Sequence, residues 1–325
     1  MTRNNRHCWY GLLGAFITSI ASVSCSRTEY EIIDSQFESG ILAYTTWMDD
    51  YRVIFHGGTL VNEGVYIWDT RTNTVTKYAD AIWKVCYDRD TQYIYYAIKE
   101  EDGIIHVMHG KMGEEKPEAI TNEDENLQKL SALNPFTCVP RALPKGKFTV
   151  LHQYLKPSHG SIKIEWMNGR EPREEYVNGN GQAFPLPIYF MPPEAFYVWK
   201  NAYFVWNSGW ARGGWLYPDS GFEEIRLNPP SPNLSGSKIA LPVRNGFLYI
   251  SHDIDSISDP GKSGIYVYRD SRYMRAVVGL VDSVSISPDG CKAAFVHVRS
   301  IAQVSQGKRT MKMIDVCSTQ QEGRG

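Results

Sequence analysis

The feature that most constrains this chain is a unit that recurs along it, most clearly seen at residues 283–298, SVSISPDGCKAAFVHV. Alternating apolar residues precede a Pro-Asp-Gly turn at 288–290, and a second apolar run follows at once. Asp-Gly between alternating apolar residues predicts a tight β-hairpin, because both turn residues must tolerate positive φ. Residues 308–319 then supply a third strand, so the unit extends beyond a single hairpin.

Five further copies have the same rhythm of strand, short polar turn, strand, longer loop and two more strands. The first hairpins of the six units are 40–56, 81–98, 137–155, 193–207, 238–253 and 283–298. The period of roughly 40–57 residues lies near that of four-stranded propeller blades. The 20 Tyr and 9 Trp also favour strands. A β-sandwich has short strands too, but it does not require six similar four-stranded units. We therefore predict an all-β fold, a six-bladed β-propeller of four-stranded antiparallel blades.

The sixth unit lacks a fourth strand, because only polar and small residues follow MIDVC at 313–317. A strand-like run, EYEIIDSQ at 29–36, precedes the first complete unit. We predict that this N-terminal run forms the outer strand of the last blade, closes the ring and covers an exposed sheet edge. A loose tether is the alternative.

Two segments resemble the repeat of TolB-type, WD-repeat-like β-propellers. ISPDGCKAAFVHV at 286–298 resembles the first hairpin of that repeat, and GVYIWDTRTNTVTKY at 64–78 resembles its third and fourth strands. Units three and four lack the signature Asp, so they share only the rhythm. Across 37–319 the resemblance implies a propeller, an architecture that binders, enzymes and scaffolds all use.

The first 24 residues have the pattern of a secretory signal, with two arginines before an uncharged run at 9–23. The run is shorter than a membrane-spanning helix requires. The small residues before Cys25 resemble the lipobox of bacterial lipoproteins, which implies cleavage and lipidation at Cys25. Ser22 departs from that pattern, since a Leu-like residue is usual there. Ordinary signal-peptidase cleavage and an uncleaved anchor are the alternatives.

These patterns predict a signal peptide at 1–24, a lipidated tether with the closing strand at 25–36, the propeller at 37–319 and a flexible tail at 320–325. Ser26 after the cysteine resembles the outer-membrane sorting pattern. We expect an exported lipoprotein on the periplasmic side of the outer membrane or at the cell surface.

Four cysteines follow the signal, and export permits them to form disulfides. Cys291 begins the second strand of unit six and Cys317 ends the third. An antiparallel register that places them opposite each other predicts a disulfide, with two free thiols as the alternative. Whether Cys86 and Cys138 also pair is left open.

Common catalytic and cofactor motifs are absent from the sequence, including G-x-S-x-G, H-E-x-x-H and the phosphate-binding glycine loops. The 34 basic and 36 acidic residues form no basic stripe, which argues against nucleic acid as a partner. The segment 253–259, DIDSISD, lacks the Gly and Glu of an EF-hand loop. We predict no cofactor, no metal and no catalytic residue.

Histidines mark one structural position in several units. His56, His152 and His252 fall at the ends of second strands, and His297 lies one residue further along in unit six. Imidazoles that converge at a channel mouth could bind a metal or move protons, as fold analogy with propeller lyases suggests. These histidines, with Asp253 beside His252, are candidate binding residues, and they carry the alternative of a propeller-type polysaccharide lyase or glycosidase.

The loops after the second strands are long and varied, and such loops on a rigid scaffold usually carry binding. In unit four, Trp210 and Arg212 lie in a Gly-flanked loop, and exposed Trp and Arg are good interface anchors. The leading hypothesis is therefore a lipid-anchored propeller that binds or scaffolds an envelope protein or glycan.

Overall fold

The computed structural model describes residues 30–39, 41–59, 62–88, 92–113, 118–119, 148–151, 161–165, 173–187, 195–199, 202–207, 212–227, 238–251, 263–298 and 308–319. Regular structure within these ranges is entirely β, in 24 strands. None of the described residues belong to a helix that could span a membrane.

The described strands form six four-stranded antiparallel sheets, which we number as blades one to six along the chain. Blade one contains β2 (Ile41–Trp47), β3 (Arg52–Gly58), β4 (Gly64–Asp69) and β5 (Thr74–Asp80). Blade two contains β6 (Ile82–Tyr87), β7 (Ile94–Lys99), β8 (Ile105–Gly110) and β9 (Glu118–Ala119). Blade three contains β10 (Phe148–Leu151), β11 (Ser161–Glu165), β12 (Arg173–Val177) and β13 (Ala183–Leu186).

The second half of the chain repeats this arrangement. Blade four contains β14 (Ala195–Trp199), β15 (Ala202–Asn207), β16 (Arg212–Tyr217) and β17 (Gly221–Arg226). Blade five contains β18 (Lys238–Val243), β19 (Gly246–Ser251), β20 (Gly264–Arg269) and β21 (Arg272–Val278). Blade six contains β22 (Leu280–Ile286), β23 (Lys292–Val298), β24 (Arg309–Thr319) and, as its outer strand, β1 (Tyr30–Ser39).

Where the structure describes their contacts, neighbouring blades pack face to face, and the core lies between them. The first strand β2 lies beside both β6 and β22, and β18 lies beside both β14 and β22. Trp47 and Phe55 fill the space between blades one and six, whereas Ile54 packs toward blade two. Because both faces of a blade are covered, β3 is buried along almost its whole length instead of on alternate residues. The protein is a β-propeller, as the sequence predicts.

The N-terminal strand closes the ring, which confirms the predicted closure. In the antiparallel pairing of β1 with β24, Ile32 lies opposite Ile314 and Ile33 opposite Met313. The Ser35 hydroxyl adds a hydrogen bond of 2.7 Å to the carbonyl of Met311. The strand extends to Ser39, beyond the predicted end at 36, because a bulge between Asp34 and Glu38 lets pairing resume toward the start of β24.

The Ser-Pro-Asp-Gly hairpin of blade six is fixed by its own side chains. The Ser287 hydroxyl donates to Asp289 Oδ1 at 2.5 Å and accepts from the Lys292 backbone N–H at 2.8 Å. Asp289 Oδ1 also accepts from the Cys291 N–H at 2.9 Å. Gly290 has a φ of 72°, a conformation that glycine adopts without steric cost. Ser287, Asp289 and Gly290 therefore each have a local structural role.

The structure contains the Cys291–Cys317 disulfide, with a Cα–Cα distance of 5.1 Å. The register used to predict it was wrong by one residue. Lys292 pairs with Asp315, so the regular ladder continues toward a Cys291–Val316 pair, joined by a 2.8 Å backbone hydrogen bond. The bridge forms because the chain leaves the ladder here, where Asp315 Oδ1 accepts from the Cys317 backbone N–H at 2.8 Å.

Blades one and six are joined through their innermost strands. Trp47 Nε1 donates to the Ser285 carbonyl at 2.9 Å, and the Thr45 hydroxyl donates to the Ser283 carbonyl. Both strands carry a bulge near these residues, between Ala43 and Thr46 in β2 and between Asp282 and Ser285 in β22. A bulge redirects side chains locally, and here the hydroxyl and indole donors of one blade reach backbone carbonyls of the next.

We expect Trp47→Phe to lower the free energy of unfolding by about 1–3 kcal/mol, because it removes a buried hydrogen bond between two blades. Trp68→Phe is the matched control. Trp68 is equally buried, but its Nε1 donates to the exposed turn residue Asn73 at 2.9 Å, whose side chain water can solvate. Urea unfolding of both variants measures the difference. A loss for Trp68→Phe that equals the loss for Trp47→Phe would contradict the importance of the bond between blades.

Candidate binding faces

The disk has two faces that differ in the connections they carry. We call the face on which the second strands end, at Gly58 in blade one and Val298 in blade six, the loop face. The opposite face, on which those strands begin at Arg52 and Lys292, is the turn face. Neighbouring strands are antiparallel, so the turns after the first and third strands also lie on the turn face.

Several predicted site residues lie outside the described part of the chain. They are Cys25, His152, Trp210, His252 and Asp253. Their roles therefore stay predictions.

His56 is buried near the loop-face end of β3 and lies beside an acidic side chain of its own blade. Its Nε2 is 2.9 Å from Glu63 Oε1. Burial lowers the pKa of His56 below the usual histidine value, and the charge of Glu63 opposes this shift without cancelling it. This contact connects the buried imidazole to Glu63, the residue directly before β4.

His297 points in the opposite direction around the ring. Its Nε2 lies 2.8 Å from the Val278 carbonyl, at the end of the outer strand of blade five. Successive side chains of a strand alternate between its two faces. In β23, Phe295 and therefore His297 face blade five, whereas in β3 Ile54 and therefore His56 face blade two. The two predicted site histidines that the structure describes thus do not converge on one cavity.

Arg212 was predicted in a Gly-flanked loop, and this placement was wrong. It is the half-buried first residue of β16, opposite Asn207 on β15 and Arg226 on β17. The following glycines belong to the strand and not to the loop. A Cβ on Gly213 would lie 2.4 Å from Trp206 Cε3, and one on Gly214 would lie 2.3 Å from Phe222 Cζ. These positions are glycine because large aromatic rings pack against the bare backbone.

Two tryptophans of blade four, Trp206 and Trp215, contribute to the core. Trp206 is fully buried, and its ring stacks at 6.2 Å on Phe204. Trp215 is half-buried and meets Phe204 edge-on at 5.1 Å. They join blade four to blade five.

The turn face carries a cluster around Tyr51 that the sequence did not reveal. Tyr51 is 45% exposed, and its ring lies between two cations, with Arg71 Cζ at 4.8 Å and Lys292 Nζ at 4.7 Å from its centroid. Met112, 42% exposed, lies close by with its Sδ 3.2 Å from Arg52 Nη1. These residues come from blades one, two and six, so they become neighbours only when the ring has folded.

Carboxylates hold the backbone and the cations of this cluster in place. Burial alone would raise the pKa of Asp49, but hydrogen bonds from the Tyr51 and Arg52 backbone N–H groups and from the Arg52 side chain lower it overall. The hydrogen bond from the Arg71 side chain is the main reason why the pKa of Asp69 falls to about 2. Both carboxylates are therefore ionised at neutral pH.

Among the described residues, no group of three or more His, Cys, Asp or Glu side chains is arranged to hold a metal ion. Cys86 is disulfide-bonded. Cys138, the partner that the sequence left open for it, lies outside the described residues.

No known protein family and no curated protein matches this sequence. Solved structures do match. A streptogramin B lyase is 12% identical over 88% of this chain and 98% of its own, with a TM-score of 0.48. A chain of the mitotic checkpoint complex is 10% identical over 96% of this chain and 99% of its own, with a TM-score of 0.44. A protein of unknown function from Bacteroides thetaiotaomicron is 8% identical over 89% and 73%, with a TM-score of 0.40. At this similarity none of them bears on the function of this chain, and the TolB-type resemblance stays a prediction.

The low pKa of His56 gives a testable pH dependence. The folded protein binds a proton at His56 less readily than the unfolded chain, so stability falls as the pH drops below about 6.5 and through the folded-state pKa. One such group contributes a slope of at most ~1.4 kcal/mol per pH unit. We expect His56→Gln to flatten this dependence in urea unfolding between pH 7.5 and 5.

Glu63→Gln is the matched control, because it removes the charge that raises the pKa of His56. We expect it to make the loss of stability at acid pH steeper. A slope for His56→Gln that equals the wild-type slope would show that this histidine is not the group that titrates.

Proposed function

We propose that this protein is an exported, lipid-anchored β-propeller that binds or scaffolds an envelope protein or glycan and uses no cofactor. The observation that carries the proposal is a ring closed by its own N-terminal strand and fastened beside that closure by Cys291–Cys317. Disulfides persist in oxidising compartments such as the periplasm, which supports export. A closed ring is a rigid scaffold, and binding residues often lie on loops that such a scaffold carries.

The proposed anchor is a lipid on Cys25, after cleavage of the signal at 1–24. The proposed location is the periplasmic side of the outer membrane or the cell surface. The pattern of residues around Cys25 supports both, and the disulfide supports the compartment.

The proposed contact surface is the loop face. The varied connections after the second strands leave from this face, and the loop that holds Trp210 is among them. Arg212, at the start of β16, lies at the base of that loop. Tryptophan and arginine are both enriched at interface hot spots.

The alternative is a propeller-type polysaccharide lyase or glycosidase with its site at the channel mouth. Such a site needs imidazoles or carboxylates that converge on one cavity. His56 and His297 face opposite sides of their blades, so this pair gives the enzyme hypothesis no support. We therefore favour the binding role over the enzymatic one.

The binding role predicts that Trp210→Ala lowers the recovery of partners from a detergent-solubilised envelope fraction by about tenfold or more, since a hot-spot residue is worth ~2 kcal/mol. The same variant is tested on a glycan array. Ile104→Ala is the matched control, because Ile104 is 44% exposed at the loop face of another blade. Equal recovery by both variants and the wild type would exclude this loop as the contact surface.

A further inference from the structure

Both ends of the propeller lie on the turn face. The strand β1 runs from Tyr30 at this face to Ser39 at the loop face, and β24 runs the other way to Thr319. Tyr30 and Thr319 are directly paired, so the chain enters the ring and leaves it at one point. Anything attached before Tyr30 therefore pulls on the turn face at its outer rim.

Cys25 lies five residues before Tyr30 in the sequence. Five residues reach at most ~17 Å when fully extended. The second strands of blades one and six have seven residues each, and at ~3.3 Å per residue they separate the two faces by roughly 20 Å. A lipid on Cys25 is therefore too close to the turn face to let the disk turn over and place its loop face on the membrane.

We propose that the turn face rests on the phospholipid headgroup layer to which Cys25 is tethered, so that the loop face points away from the membrane. This inference rests on the lipid anchor of the proposed function. It assigns a membrane contact to the Tyr51 cluster and leaves the loop face free to bind partners.

The residues that project from the turn face suit a headgroup layer. Tyr51 and Met112 are both exposed. Tyrosine is enriched at membrane–water interfaces, because its ring can contact the apolar part of the lipid while its hydroxyl stays hydrated. Arg71 and Lys292, on either side of Tyr51, are donors that bind phosphate oxygens.

Hydrogen bonds between turns hold this face in one shape. The Arg244 N–H in blade five donates to the Gly290 carbonyl in blade six at 2.9 Å. The Asp289 N–H in blade six donates to Asp50 Oδ1 in blade one at 3.0 Å, and Lys292 Nζ donates to the Asp50 carbonyl at 2.9 Å. Three neighbouring blades thus present their turns as one connected surface.

Charge alone does not hold the disk to the membrane. Asp49 pairs with Arg52 at 2.6 Å and Asp69 with Arg71 at 2.8 Å, which neutralises much of the positive charge at this face. The orientation therefore depends on the point of attachment and the short tether. We expect it to persist at 0.5 M salt, where the Debye length falls below ~5 Å.

The test is energy transfer from a donor dye on each face to an acceptor-labelled lipid. Thr72→Cys places the dye on the turn face and Glu101→Cys on the loop face, both at exposed turn residues. Each full-length protein is matured in a lipoprotein-processing host, labelled without reductant and reconstituted into vesicles of phosphatidylethanolamine and phosphatidylglycerol. The protein without either added cysteine is treated with the same dye, and it gives the background from the native cysteines.

We expect higher transfer from residue 72 than from residue 101, in low and high salt alike. Equal transfer would mean that the disk lies on its edge, and the reverse order that the loop face lies on the membrane; either result overturns the proposal. Flotation with vesicles that is no better for the wild type than for Cys25→Ala would refute the anchor itself. Flotation that depends on Cys25 together with equal transfer would refute the orientation alone.

A second measurement detects contact directly. Tyr51→Trp and Ile104→Trp place reporters at sites of nearly equal exposure, 45% and 44%, on opposite faces. We expect brominated lipids to quench the added fluorescence at residue 51 and not at residue 104. Quenching of neither reporter on anchored protein would contradict the proposed contact.

Discussion

The pairing of β1 with β24 is the interaction on which the rest of the architecture depends. In a β-propeller each blade packs against two neighbours, so the ring is complete only when the last blade packs against the first. Here the outer strand of blade six comes from the start of the chain and its other three strands come from the end. The disulfide between β24 and the start of β23 fastens the same blade covalently. Closure also removes the sheet edge that β24 would otherwise expose.

The closed ring gives the two faces different properties. On the turn face, short turns bond to each other across blades five, six and one, and side chains such as Asp49 and Asp289 fix the backbone locally. On the loop face, His56 and His297 hold the strand ends to their surroundings. Among the described residues, the turn face therefore consists of turns that bond to one another across three blades.

Much of the fold could be predicted because its determinants are local. The turn at Ser287, Asp289 and Gly290 is fixed by hydrogen bonds within six residues. The strands on either side of it can be recognised from their apolar residues. Closure could be predicted from the missing strand of unit six. The register beside Cys317 was wrong by one residue because a bulge at Asp315 is decided by side-chain capping and not by spacing.

The candidate site was harder to predict, because it depends on which face of a strand each residue occupies. His56 and His297 look nearly equivalent in sequence, yet one position along a strand reverses the direction of the side chain. Glycines 213 and 214 resembled a loop, although their small size is required by Trp206 and Phe222. The cluster around Tyr51 combines residues from three blades, and no local pattern could have joined them.

The closure strand also sets the order in which the molecule can be completed. Ser35 and the Met311 carbonyl to which it donates are 276 residues apart in the chain. A chain synthesised from its N-terminus produces β1 first and β24 last. Until β24 is made, β1 lacks the strand with which it pairs, so the ring can close only when almost the whole polypeptide has been synthesised. Contacts between such distant residues form slowly, and the interval before closure is the stage at which an incomplete propeller is most exposed to aggregation and proteolysis.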